Sequence, residues 1–129
     1  MKNVVLILLA LCTMLSLVSC GRENDGGSYE QITPAEAKAL MDSEKDYIIL
    51  DVRTEEEFAA GHIEGAVLIP DYEIGEKAES VLKDKGQLIL VYCRSGRRSK
   101  NAASELVTLG YTNVKEFGGI IDWTYGTVS

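Results

Sequence analysis

Two short stretches, YIILDV at 47–52 and LILVY at 88–92, limit the fold more than anything else in the chain. Neither alternates apolar with polar residues, so neither suits a strand with one wet face. A strand that is apolar along its length needs cover on both sides, which is the condition of a parallel sheet held between layers of helix. The intervening segments supply those helices. Thr33-Pro34-Ala35-Glu36 combines an N-cap, a proline at the first helical position and a glutamate that can reach back to the cap. Ala37, Leu40 and Met41 then give an apolar stripe. Thr54-Glu55-Glu56-Glu57 repeats the capping device ahead of a short helix that stops at Gly61. The spacing predicts a helix over 71–84 with Ile74, Ala78, Val81 and Leu82 inward, and another over 99–109 that packs Ala102, Ala103 and Leu106. Apolar runs at 66–69 and 114–117 read as further strands, and Gly118-Gly119 as a turn into a short terminal helix carrying Trp123. Strands alternating with helices define an α/β domain with a parallel sheet and helices on both faces.

In such sheets, chemistry collects beyond the carboxyl ends of the strands. YIIL runs into Asp51-Val52-Arg53, and LILVY runs into Cys93, so both should open onto one edge. After Cys93 come Arg94, Ser95, Gly96, Arg97, Arg98 and Ser99. Gly96 permits backbone torsions that a side chain would block. Loop amides can then turn inward while the next helix adds the positive end of its dipole. A thiol at the base of such a cradle is favoured as thiolate, and the same amides can hold an anion brought to the sulfur. Three arginines at a helix start oppose the dipole, so they need another reason to be there. Here that reason is the attraction of an anionic substrate, with Arg98 the first candidate to bind it. The chain as a whole has a net charge of −7, which excludes nucleic acid as its main partner.

The N-terminus carries a different signal. Met1-Lys2 precedes an apolar run from Val4 to Val18, too short for a comfortable membrane span, and Leu17-Val18-Ser19-Cys20 then gives way to polar GRENDGGS. This resembles a bacterial lipoprotein signal peptide over 1–19, with Cys20 as the lipidated first residue of the mature chain. Residues 20–28 would be a flexible tether and 29–129 the folded domain. The mature chain would lose Lys2 and no acid, leaving 12 − 20 = −8. Of the three cysteines, Cys12 would leave with the signal and Cys20 would carry lipid. Cys93 would then be unpaired in an exported protein, which is expected where a thiol is needed free.

The motifs taken together resemble a single-domain rhodanese, a sulfurtransferase. They are Asp51-Val52-Arg53, Glu57-Phe58, Gly61-His62-Ile63 with Gly65-Ala66, the Cys93–Ser99 loop, and Gly118-Gly119 with Trp123. The resemblance implies a rhodanese-like fold with a central parallel sheet of about five strands. It implies that Cys93 takes a sulfane sulfur from a small anionic donor such as thiosulfate, holds it as a persulfide within the amides of residues 94–98, and passes it to a thiol or cyanide. Phosphatases of related fold place arginine six residues after the cysteine. Here that position is Ser99 and Arg98 comes one place earlier, so the smaller cradle favours sulfur transfer over phosphoryl or arsenate chemistry. A sulfur-carrying, sensing or docking module on the same fold is the alternative. Arg53 is expected to pair with a carboxylate, with Glu57 the first candidate, and Asp51 to support the loop. The resemblance assigns His62 to a structural turn. No metal or cofactor is expected, and the domain is expected to act as a monomer, held outside the cytoplasm by its lipid alone.

Overall fold

The computed structural model describes residues 28–129, so the signal peptide, Cys20 and all but the last residue of the tether lie outside the described residues. Within them the elements run β1 (Glu30–Gln31), α1 (Pro34–Ser43), β2 (Tyr47–Asp51), α2 (Glu55–Ala60), β3 (Val67–Leu68), α3 (Ile74–Val81), β4 (Leu88–Cys93), α4 (Arg97–Thr108) and β5 (Val114–Gly119). One five-stranded sheet has the order β1-β5-β4-β2-β3, and every neighbouring pair is parallel.

The apolar runs account for this arrangement. All six residues of β4 are buried, and the pleat divides them between two cores. Ile89, Val91 and Cys93 face α3 and α4, among Ile74, Ala78, Ala102, Ala103 and Leu106. Leu88, Leu90 and Tyr92 face the other side, with Ala37 of α1, Phe117 and Trp123. Each fully buried leucine or isoleucine contributes about 1.5–3 kcal/mol relative to exposure, so this central strand is costly to expose on either face. Both predicted capping boxes form. The Thr33 and Thr54 hydroxyls accept from the amides of Glu36 and Glu57, whose carboxylates accept from the threonine amides in return.

Two expectations change, and the fifth strand, expected but not placed, is Glu30–Gln31, two exposed polar residues that pair with Lys115 and Glu116 at the sheet edge. The helix predicted over 71–84 is a short 3-10 turn over Asp71–Glu73 followed by α3, which leaves helical geometry at Leu82 (φ −105°, ψ 87°). Leu82 takes the inward position and Val81 is 43% exposed rather than buried. Helix α4 begins at Arg97, two residues earlier than predicted, directly after Gly96 at φ +116°.

Arg53 does not pair with Glu57. Its guanidinium folds back onto Asp51 of the same strand end, with Nη2 2.7 Å from Oδ2 and Nε 2.9 Å from Oδ1. Asp51 Oδ1 also accepts the Arg53 amide at 2.9 Å, and Oδ2 accepts the Tyr92 hydroxyl at 2.5 Å. Asp51, two residues away and fully buried, is the nearer carboxylate and the one that most needs a cation. Burial, and then the bond to Asp51, push the Tyr92 phenol well above its ordinary range, so it stays a donor. A second Arg53 bond reaches the Gly61 carbonyl at 2.7 Å, and the Tyr92 oxygen accepts the Ile63 amide at 3.1 Å. His62 lies between those two tied residues. Its Nδ1 donates to the Phe58 carbonyl at 2.8 Å and its ring stacks on Phe58, so it serves the turn. Replacing Arg53 with Met would leave the Asp51 charge buried without its cation. The expected loss is about 3–5 kcal/mol in urea unfolding. A loss of only about 0.5 kcal/mol, the size of a surface substitution, would show that the ion pair does not hold this corner.

Candidate active site

Cys93 closes β4, and the residues after it fold into a loop against the end of β5. The sheet carries a register irregularity there: Val91 pairs with Glu116, whereas Cys93 pairs with Gly119. The irregularity brings the Gly118-Gly119 backbone alongside the loop. A Cβ on Gly119 would lie 1.9 Å from the Arg94 carbonyl oxygen, so no side chain fits. The same carbonyl accepts the Ile121 amide at 3.3 Å, which fastens the loop to the turn beyond β5. Gly96 takes the left-handed torsions and caps α4, and its amide points back at the cysteine, with N 3.0 Å from Sγ. Cys93 is 1% exposed and is the one free cysteine among the described residues.

The other loop residues divide into two groups. Arg94, Ser95 and Arg97 are exposed, and among the described residues Arg94 and Arg97 form no ion pair. Arg98, the expected first anion binder, spends its fork on Glu57: Nη1 to Oε1 at 2.8 Å and Nη2 to Oε2 at 3.0 Å. This bridge joins the first turn of α4 to the first turn of α2. It also explains why Arg53 finds Glu57 occupied, since the same carboxylate already serves the Thr54 cap. The Arg98 bond, opposed by burial and helped by Thr54, lowers the Glu57 pKa to about 2. The Glu57 bond raises that of Arg98. Ser99 turns inward, with Oγ 3.4 Å from Cys93 Sγ and 2.5 Å from Oε2 of the buried Glu116.

A cleft of ≈ 420 Å³ opens beside the loop, lined by Arg53, Glu57, Gly61, Arg94, Ile120 and Ile121. A second depression of ≈ 350 Å³, by Trp123, Tyr125 and α1, has none of the loop residues in its lining. Sequence reasoning missed Glu116 altogether. The available signal was its place two residues after Val114, on the strand face that packs α4. A charged residue at that position must be paired within the core.

A parallel five-stranded α/β domain with a buried thiol, an amide aimed at it and cations around it is built for nucleophilic sulfur or phosphate chemistry at the strand ends. Residues 33–125 match the model of the rhodanese-like domain, and the chain belongs to that family. It is similar to the thiosulfate sulfurtransferase PspE of Escherichia coli, 38% identical over 73 residues, covering 57% of this chain and 70% of that protein. A sulfurtransferase of Allochromatium vinosum is 38% identical over 88 residues, 67% of this chain and 79% of that one. Among solved structures, a rhodanese with anions from Escherichia coli superposes with a TM-score of 0.61 at 35% identity, over 64% of this chain and 98% of that one.

The Glu57–Arg98 bridge should be visible in acid. The folded value of about 2 lies below the ordinary 4.5, so the stability it adds is complete above pH 4.5 and is lost as the pH falls through about 2. With a quarter of each side chain exposed, solvent screening limits the pair to about 1 kcal/mol. Wild type and Glu57→Gln should therefore differ by that amount above pH 4.5 and converge toward pH 2 in denaturant unfolding. A difference that does not change with pH would exclude an ionic bridge.

Proposed function

We propose that this domain is a sulfurtransferase that moves sulfane sulfur through a persulfide on Cys93. The observation that carries the reading is the buried free thiol facing the Gly96 amide in a loop whose exposed cations are Arg94 and Arg97. The thiolate attacks the outer sulfur of thiosulfate; the donor's S–S bond breaks and sulfite leaves with the electron pair. The amides at the start of α4 receive the persulfide charge, and Gly96 supplies the first of them. A thiol or cyanide then takes the outer sulfur, and Cys93 departs as thiolate. Arg94 and Arg97 gather the anionic donor to an acidic protein, while Arg98 braces the cradle through Glu57. The loop length supports sulfur over phosphate, because Ser99 stands at the sixth position after Cys93 and points into the protein at Glu116.

Purified protein should convert thiosulfate and cyanide to thiocyanate, and thiosulfate alone should raise the intact mass by one sulfur atom. Both signals should vanish in Cys93→Ser, and the rate should fall as salt screens the two free arginines. Activity that survives Cys93→Ser would refute the assignment. A reduced thiol of unchanged mass would favour a docking or sensing module instead.

We further propose that the domain is exported and tethered outside the cytoplasm by lipid on Cys20, the reading supported by the Leu17-Val18-Ser19-Cys20 motif. A palmitate analogue fed to expressing bacteria should label the wild-type chain and not Cys20→Ala; equal labelling of both would sink the anchor.

A further inference from the structure

Glu116 is 2% exposed, and the sulfur-transfer steps above make no use of it. Its Oε2 accepts the Gly118 amide at 2.9 Å and lies 2.5 Å from Ser99 Oγ. Among the described residues its Oε1 has one cation in range, Lys100 Nζ at 4.0 Å, on a side chain that is itself 46% exposed. On the other side of Ser99 Oγ, at 3.4 Å, is Cys93 Sγ. Two acids thus flank a single hydroxyl in the core.

Ser99 has one proton and more acceptors than it can serve. Besides Glu116, the Gly96 carbonyl is at 3.0 Å and the Gly118 carbonyl at 3.3 Å. Two closed arrangements follow. In the first, Cys93 S–H donates to Ser99 Oγ, and the Ser99 hydroxyl donates to ionised Glu116. In the second, a protonated Glu116 donates to Ser99 Oγ, the Ser99 hydroxyl donates to the Gly96 carbonyl, and Cys93 is a thiolate under the Gly96 amide. They differ by one proton shift and one turn of a hydroxyl: Ser99 takes the thiol proton as it gives its own to Glu116 Oε2, and the new hydroxyl proton then swings from the sulfur to the Gly96 carbonyl. The S–H bond breaks, a carboxyl O–H forms, and the total charge of the group is unchanged. Ionising both acids instead would set two negative charges in one buried place against the half-exposed Lys100. The other charges near this face are the Lys115–Glu30 pair on the adjoining strand edge and, on the loop side, Arg94, Arg97 and the Glu57-bound Arg98.

We infer that Glu116, acting through Ser99, is a positioning residue that holds the proton of Cys93 and returns it after sulfur is handed on. This rests on Cys93 being the nucleophile but not on any sulfur donor. The test is therefore made on the resting full chain. At neutral pH, Cys93 thiolate absorbance in wild type, corrected by the Cys93→Ser spectrum, should coexist with the infrared band of a protonated carboxyl, and that band should be missing in Glu116→Gln. A reduced thiol with no thiolate, a thiolate without the carboxyl band, or a band that survives Glu116→Gln overturns the proposal. If Glu116→Gln fails to fold, wild type and Cys93→Ser decide the matter: the band should be present in the first and absent from the second, and an equal band in both, or none in either, is the overturning result.

Discussion

The carboxylate of Asp51 ties three parts of the chain that would otherwise part at the carboxyl edge of the sheet. It receives Arg53 from its own strand end and Tyr92 from the neighbouring strand; those two partners in turn hold Gly61 and Ile63 of the turn after α2. Strand β4 is therefore pinned one residue before its cysteine. Tyr92 is anchored on the α1 side, so Cys93, next along the pleat, must emerge toward α4. The placement of the thiol is a by-product of strand alternation plus one buried ion pair, with no dedicated contact needed to aim it.

Charge around the loop is sorted in the same economical way. An acidic protein repels anions, and three arginines in five residues read as the remedy. Only two are free to act so. Arg98 is neutralised by Glu57, and that bridge ties the first turns of two helices together. Exposed, unpaired cations and one bound to a carboxylate are different tools, although residues 97 and 98 are adjacent and identical in type.

Most of the architecture was legible in the sequence because it rests on local signals. Continuous apolar strands, two threonine capping boxes and a glycine after the cysteine each act within a few residues. What escaped was set by partners far along the chain. Glu30–Gln31 has no strand character of its own and is a strand only because Lys115 and Glu116 lie beside it. Arg53 could be assigned a carboxylate but not the right one, since the choice depended on Arg98 reaching Glu57 across 41 residues. Glu116 and Ser99, 17 residues apart, meet because β5 and α4 pack face to face.

The absence of a side chain at Gly119 has a consequence for how such a site can change. The Arg94 carbonyl occupies the volume a Cβ would fill. Loop and wall are cut to one another like a key and its ward, so neither can be altered alone. A side chain at position 119 would push the Arg94 backbone off the wall, and with it the residue next to Cys93, so the shape of the loop is guarded by two stretches far apart in sequence.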